Sequence, residues 1–354
     1  MDQPIGAERF IELFLGILYE ALPFIILGAI ISGLLEELVP QGVISKILPR
    51  NRWLTIALGG FLGVIFPMCE CGIIPVMRRL LRKGVPLSCC TCYMLAGPII
   101  NAVVMVSTMV AFAGVERYTG EAGYGRQLGS VTMAGLRGLL GFIVAFITSI
   151  IVERQWRIYG TDLMKPMVIP DSEAEKQELT VLRKSPPLFQ RVNNIAETAL
   201  HDFVDITVFL IIGALLAVTV RLFMPLSQMG EYTNKFPTLA IALFMGLAIV
   251  LCLCSEADAF VAASFVSVPP AAKLAFLVLG PMLDFKLYLM FMRVFRPRLM
   301  WTIIGSVVVL VFILANATHL VLQAMPDDWF AALASADKAL SGSGKSIRAI
   351  FGGS

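Results

Sequence analysis

Long apolar runs dominate the pattern of hydrophobic and polar positions along the chain. Six of them are about as long as a membrane-spanning helix, and they cover residues 11–35, 86–113, 130–152, 203–224, 270–292 and 301–323. With a helical rise of about 1.5 Å per residue, each can cross a bilayer core of about 30 Å. The pattern therefore predicts an all-α polytopic membrane protein.

Composition and charge support this prediction. The chain of 354 residues is 58% hydrophobic and 15% charged, which is far less charge than a soluble domain of this length carries. The net charge of +3 is small and dispersed, so nucleic acid is not expected as a partner. The first residues, MDQPIGAERF, contain neither a basic leader nor a small-residue cleavage site, so we expect no removable signal peptide.

The sequence also repeats itself. Residues 12–30 resemble residues 197–215, including a shared Gly-Ala pair near the end of each segment. The match continues in one ungapped register further along the chain, where the aligned pairs are Phe61 with Phe244, Gly63 with Gly246, Cys69 with Cys252, Cys71 with Cys254, and GPIIN (97–101) with GPMLD (280–284). Such self-similarity predicts two homologous membrane repeats.

The repeats define the expected domain organisation. We predict a first membrane repeat at 1–152 and a second at 197–323. The intervening residues, 153–196, are rich in charge and proline and are predicted to form a cytoplasmic linker. Residues 324–354 are predicted to form a flexible C-terminal tail, whose SGSGKS sequence lacks the context of a nucleotide-binding loop.

Charge placement predicts how the repeats are oriented. Each repeat contains a segment with a Cys-x-Cys sequence, at 53–83 and 237–268, that either crosses once or returns as a hairpin. Only the hairpin puts most lysines and arginines of the short loops on the inner side, as the positive-inside rule requires. We therefore expect three spanning helices and one broken or re-entrant hairpin per repeat, with the second repeat inverted. The alternative is eight spanning helices in parallel repeats.

The chemistry of the chain is concentrated in the first cysteine motif (69–71), CEC, and the second (252–254), CLC. Ionisable groups inside a membrane usually serve function, and thiols select soft ions. We predict one central pocket near the midplane, in which a metalloid is held transiently by Cys69, Cys71, Cys252 and Cys254. Further pocket residues are the substrate-binding Asn101 and Asp284 and the proton-coupling carboxylates Glu70, Glu256 and Asp284, with Lys286 as a partner for one of the acids.

Glycine and proline residues beside these side chains predict interruptions of the helices. Proline removes an amide donor and frees a carbonyl oxygen, and non-helical backbone at membrane depth must line protein or a cavity. The predicted structural breaks are at Gly72, Pro75, Gly97, Pro98, Gly280 and Pro281.

Taken together, C-x-C-G-x-x-P, R-R-x-x-R-x-G-V-P and G-P-I-I-N, followed later by C-x-C and G-P-x-x-D, resemble the ArsP/YraQ-type predicted permeases. That bacterial family is associated with arsenic efflux. The resemblance covers most of both repeats and implies export of trivalent arsenicals, including organic ones, across the bacterial inner membrane. It makes motif positions of Cys69, Cys71, Gly72, Pro75, Pro98 and Asn101.

These observations predict a secondary-active permease, not an enzyme, that exports arsenite or organoarsenicals, with protons as the coupling ion and no cofactor. Its partners would be the metalloid, the lipid bilayer and, in a homo-oligomer, further copies of the chain. Alternatives are a transporter of another soft ion such as Cu(I), a membrane thiol–disulfide oxidoreductase using the two cysteine motifs, and a channel or scaffold.

Two assignments stay open at this point. Glu70 can be paired simply with Arg137, an arginine inside the apolar run 130–152. Cys89, Cys90 and Cys92 are either packing residues or additional thiols, and because neighbouring residues on a helix face different directions, all three cannot line one pocket.

Overall fold

The computed structural model describes residues 7–38, 48–49, 51–65, 68–113, 128–164, 188–223, 236–265 and 268–326, together with Trp329, Ala332 and Ser335. Across these residues the secondary structure is helical, with no strand and a single isolated bridge between Met164 and Phe295. The prediction of an all-α protein is confirmed.

The described helices fall into two series with similar lengths in the same order. The first helix series consists of α1 (Ala7–Leu38), α2 (Arg52–Ile65), α3 (Glu70–Arg82), α4 (Leu87–Ile100), α5 (Ala102–Phe112) and α6 (Ser130–Tyr159). A 3-10 turn (Gly160–Leu163) follows α6. The second helix series consists of α7 (Leu188–Phe223), α8 (Pro237–Leu251), α9 (Ala257–Ser264), α10 (Pro270–Leu279), α11 (Phe285–Val294) and α12 (Pro297–Ala324). The inverted orientation of the second repeat stays a prediction.

Five segments within the described residues are long and apolar enough to cross a membrane. They are Phe10–Leu34, Leu87–Phe112, Ser130–Tyr159, Phe189–Leu216 and Pro297–Ala324. The sixth predicted run, 270–292, is divided between α10 and α11, which are separated by residues 280–284, whereas Asn101 alone separates α4 from α5 within Leu87–Phe112. Neither α10 nor α11 is long enough to span alone. The chain is a multi-pass membrane protein.

The long helices extend past the predicted edges of the repeats. α6 continues to Tyr159, and α7 begins at Leu188, so both predicted linker boundaries, at 153 and 196, lie inside helices. The apolar pattern ends earlier than the helices because polar residues continue a helix once it leaves the lipid. Residues 165–187 of the linker lie outside the described residues, as does most of the tail predicted at 324–354.

Two helix pairs are interrupted at equivalent positions of the repeat. Asn101 separates α4 from α5, and its side-chain oxygen accepts a hydrogen bond from the backbone N–H of Val103 at 2.9 Å. Asp284 precedes α11 and accepts from the backbone N–H of Leu287 at 2.6 Å. Both side chains therefore act as N-caps that satisfy donors freed by the interruption.

The interruptions do not all occur where glycine and proline predicted them. Gly97 and Pro98 lie inside α4, which ends three residues after the glycine, whereas α10 ends at Leu279, directly before Gly280 and Pro281. Gly72 and Pro75 lie inside α3, so the break in that region precedes Glu70. A proline removes one donor without preventing the following residues from continuing a helix, and for this reason the helix can outlast it by a turn.

Charged residues lie inside the protein and many large apolar residues lie outside. Arg137 and Lys273 are completely buried, while the large apolar side chains of Val309, Ile313 and Leu320 on α12 are exposed. This arrangement is the reverse of a soluble domain and suits a lipid environment.

The backbone of α3 lies close to that of α1, and the backbone of α4 lies close to that of α2. A Cβ added to Gly28 would lie 2.8 Å from the Cα of Gly72, and one added to Gly63 would lie 2.4 Å from the Cα of Gly97. Glycine is needed at these positions because a side chain would push the helix axes apart. The first contact sets α1 against the start of α3, where the first cysteine motif lies.

The two series pack into each other. α1 packs along α7, α5 packs against α9, and α3 contacts α11. Each of these contacts joins one helix of the first series to one of the second. The interior between the two series is therefore built by both halves of the chain.

Candidate functional site

The first cysteine motif lies at the start of a helix. Cys69 is the residue before α3 and has an extended backbone (φ −73°, ψ 170°), and Glu70 is the first residue of α3. Both side chains are buried. Cys71 is part of α3, and its side chain is not among those that the structure describes.

The second cysteine motif lies at the end of a helix. α8 stops at Leu251, and Cys252 adopts a left-handed backbone (φ 46°, ψ 41°), the only non-glycine residue with a positive φ in the described part of the chain. Cys254 then starts the turn into α9, because its carbonyl accepts from the N–H of Asp258 at 3.0 Å and its Sγ accepts from the N–H of Ala257 at 3.4 Å. A left-handed residue at a helix end redirects the chain, usually with glycine in this role.

The two motifs meet at one cavity of ≈ 30 Å³. Cys69, Cys252 and Cys254 line it together with Glu70, Glu256 and Lys286, and its apolar lining residues are Ile17, Ala21, Leu210, Leu253 and Ala257. Residues of both helix series thus form one pocket of thiols, carboxylates and an ammonium. Of the sequence-predicted set, Asn101 and Asp284 are absent from the lining.

Lys286 connects Glu70 to Asp284. Its Nζ donates to Oε1 of Glu70 at 3.0 Å and lies 3.5 Å from Oδ2 of Asp284. All three side chains are buried. Asp284 therefore does not line the cavity. It holds Lys286, which does line it, and it caps the start of α11.

Arg137 of α6 forms a second buried ion pair. Its Nη2 donates to Oδ2 of Asp258 at 3.0 Å and to the backbone carbonyl of Ser255 at 2.9 Å, and its Nη1 donates to Oγ1 of Thr108 at 2.7 Å. The open pairing of Glu70 with Arg137 is therefore wrong: Lys286 neutralises Glu70, and Asp258 neutralises Arg137. The guanidinium needed several acceptors, which a single glutamate does not supply.

The carboxylate of Glu70 is only partly satisfied by hydrogen bonds within the protein. Oε2 of Glu70 is buried and has no hydrogen-bond partner among the described residues, although Oε1 is paired with Lys286. A buried acceptor without a donor is costly. This oxygen can therefore take a proton or a hydrogen bond from a molecule in the cavity.

Cys89, Cys90 and Cys92 are buried elsewhere. The carbonyl and Sγ of Cys89 lie against Gly59, and Sγ of Cys92 lies against Gly60, so these residues pack α4 onto α2. None of the three lines the cavity. The six cysteine side chains that the structure describes carry unbridged thiols.

The described side chains do not form a ready metal cage. Among them, no group of three or more His, Cys, Asp and Glu residues is spaced to hold a metal ion. The thiols at the cavity would therefore have to move closer together to coordinate a soft ion, which is compatible with transient binding.

Sequence reasoning missed two residues of this region. From the sequence, Asp258 has no assigned role, and the acid considered for Arg137, as an open alternative, is Glu70. The signal that could have linked them is an arginine inside an apolar run, since a buried guanidinium needs a buried acid. The sequence alone offers several acids and no means of choosing among them.

An α-helical multi-pass fold with a polar, thiol-lined cavity inside it is compatible with a membrane protein of the permease class. A family described as predicted permeases matches residues 7–320, and the chain belongs to this ArsP-type family. The resemblance expected from the motifs is confirmed.

Two relatives are similar over nearly their whole length. UPF0718 protein YcgR of Bacillus subtilis (strain 168) is 36% identical over 301 residues, covering 85% of this chain and 93% of the relative. A putative two-component membrane permease complex subunit of Streptococcus mutans serotype c is 33% identical over 315 residues, covering 88% of this chain and 96% of the relative. No solved structure matches the chain.

Proposed function

We propose that the protein is a secondary-active permease that exports thiophilic trivalent metalloids, arsenite or organoarsenicals, from the bacterial cytoplasm. The observation that carries the proposal is the joint lining of one buried cavity by Cys69 of the first series and Cys252 and Cys254 of the second. Thiols from both halves can then bind one soft ion.

The carboxylates beside the thiols provide a way to release the cargo. Thiol ligands bind a soft ion as thiolates, so binding releases protons and protonation favours release. Glu70 and Glu256 line the same cavity and can accept or supply these protons. Export would thus be coupled to proton movement across the inner membrane.

The size of the cavity indicates how a transport cycle would proceed. A volume of ≈ 30 Å³ corresponds to about one water molecule, so a larger cargo requires the helices to separate. In our proposal the two repeats are inverted, the cysteine-bearing segments are re-entrant hairpins, and the halves rock about a midplane site that opens to each side in turn.

The name of the streptococcal relative describes a subunit of a two-component permease complex. By analogy, we propose that this chain also works with a second membrane subunit. Copurification from membranes of the native host, followed by mass spectrometry, would identify such a subunit, and a chain recovered only with itself would argue against it.

Flux in inside-out membrane vesicles tests the function. Accumulation of arsenite, methylarsenite, antimonite and Cu(I) would be compared with and without a proton gradient. We expect gradient-dependent accumulation of at least one trivalent metalloid, and loss of about tenfold or more in Cys69→Ser, Cys252→Ser and Cys254→Ser, because each removes a soft ligand.

Cys90→Ser is the matched control, since Cys90 is buried but away from the cavity. It should retain flux. Selective accumulation of Cu(I) would reassign the cargo. Unchanged metalloid flux in all three cavity variants would exclude the thiol mechanism.

A further inference from the structure

Each cysteine motif is held by a buried cation from the opposite helix series. Lys286 of α11 binds Glu70, in the first motif. Arg137 of α6 binds Asp258 and the carbonyl of Ser255, immediately after the second motif. The partners are 216 and 121 residues apart in sequence, so both contacts depend on tertiary packing between the series.

The contact at the first motif acts directly beside a thiol. Glu70 follows Cys69 and begins α3, so a hydrogen bond of 3.0 Å from Lys286 fixes the position at which Cys69 enters the helix. Lys286 is itself held by Asp284, which caps α11. The start of α3 and the start of α11 are thereby tied together.

The contact at the second motif surrounds a turn. Arg137 binds the carbonyl of Ser255 and the carboxylate of Asp258, while Thr108 on α5 accepts from the other guanidinium nitrogen. Ser107 on α5 also donates to the carbonyl of Glu256 at 3.3 Å. The turn that follows Cys254 is therefore attached to α5 and α6 of the first series at several points.

We propose that Lys286 and Arg137 are reciprocal positioning residues, each of which fixes the cysteine motif of the other helix series at the shared cavity. The inference concerns the geometry of the motifs, so it does not depend on the identity of the cargo. Separation of the two series would release both motifs together. The thiols would then leave the cavity as a set, which links cavity opening to the relative movement of the two halves.

Site-resolved alkylation of cysteines in native membranes tests the proposal without any transport assay. The chain is treated with N-ethylmaleimide, and the labelling rate of each cysteine is measured by mass spectrometry. Arg137→Gln should raise the rates of Cys252 and Cys254 by about tenfold and leave Cys69 nearly unchanged. Lys286→Gln should raise the rate of Cys69 and leave Cys254 nearly unchanged. Cys252 is not a readout for this variant, because its thiol accepts hydrogen bonds from the backbone N–H groups of Phe285 and Lys286.

Conservative and alternative variants distinguish positioning from general stability. Arg137→Lys and Lys286→Arg keep the charge and should restore part of the protection. Asp258→Asn removes the same ion pair from the other side and should give the same labelling pattern as Arg137→Gln. It replaces Arg137→Gln in the test if that variant fails to insert into the membrane. Cys89, Cys90 and Cys92, which are buried away from the cavity, report global unfolding.

Selective labelling of the motif opposite to each substituted cation supports the proposal. It is overturned if all cysteines become reactive together, because that result indicates loss of the fold without specific positioning. Labelling rates equal to those of the native chain in Arg137→Gln, Asp258→Asn and Lys286→Gln would overturn it as well.

Discussion

The first and second cysteine motifs share their spacing but have opposite structural roles. Cys69 stands in extended backbone at the beginning of α3, whereas Cys252 stands in left-handed backbone at the end of α8. The first motif contains its acid, Glu70, between the cysteines, and the second is followed by Glu256 and Asp258. A repeated sequence has therefore produced two unlike halves of one site.

The two cations that hold the motifs also differ, because one lines the cavity and the other does not. Lys286 lines the cavity beside Glu70, where a bound cargo or a proton would meet the pair directly. Arg137 is completely buried and does not line the cavity. Under the proposed function, a bound cargo would compete for the contact that holds the first motif and would not touch the contact that holds the second.

Removing Arg137 should have the largest effect on stability. Arg137→Met leaves the carboxylate of Asp258 buried without its cation, and such a loss costs about 3–5 kcal/mol. Thermal unfolding of the purified protein in detergent would measure it. Replacing both partners, in Arg137→Met/Asp258→Leu, should recover most of the lost stability because no uncompensated charge remains.

Lys286→Met provides the comparison with the first motif. It leaves Glu70 beside the cavity, where water or a proton can reach the acid, and it leaves Asp284 with the backbone N–H of Leu287 as a remaining donor. Its destabilisation should therefore be smaller than that of Arg137→Met. An equal or larger loss of stability would show that the two contacts do not differ as described.

Alanine substitutions at the equivalent glycines Gly63 and Gly246 should give the next largest difference in stability. A Cβ at Gly63 would meet the Cα of Gly97 at 2.4 Å, whereas one at Gly246 has nothing within 4 Å. Gly63→Ala should cost about 1–3 kcal/mol by overpacking α2 against α4. Gly246→Ala is the matched control and should be neutral or stabilise α8 by up to about 1 kcal/mol. Similar unfolding temperatures for the two variants would contradict the difference in packing.

Substitution of the capping residue Asn101 should have a smaller effect on stability. Asn101→Ala removes the acceptor for the N–H of Val103 and should cost about 1 kcal/mol. Asn101→Ser keeps a side-chain oxygen that can cap α5 without placing a charge at this buried position. Detergent unfolding should therefore rank Asn101→Ser close to the native chain and Asn101→Ala below it, and the reverse order would argue against a capping role.

Replacing Cys252 with glycine should have the smallest effect on stability. The left-handed backbone of Cys252 suits glycine, so Cys252→Gly should change the free energy of unfolding by no more than about 1 kcal/mol. Flux should nevertheless fall as far as in Cys252→Ser, since both lose the thiol. Retained flux in a stable Cys252→Gly protein would remove Cys252 from the site.

The helical membrane fold could be predicted from the apolar runs because their length and composition leave few other structures. Cys69, Cys252 and Cys254, which line the cavity, could be named because the repeat doubled the pattern beside acids. Residues such as Asn101 and Asp284 were placed in the pocket by pattern, yet the caps they form require the positions of the following backbone N–H groups. The choice between Glu70 and Asp258 as partner of Arg137 depends on packing between distant helices, which sequence spacing does not encode.

Protection of thiols by a trivalent arsenical is the most direct test of the shared site. The purified chain, alone or with phenylarsine oxide, would be alkylated with N-ethylmaleimide, and each cysteine would be quantified by mass spectrometry together with the arsenic bound per chain. We expect one arsenic per chain and simultaneous protection of Cys69 and at least one of Cys252 and Cys254. Protection confined to cysteines of a single helix series, or protection of none of these three, would contradict it.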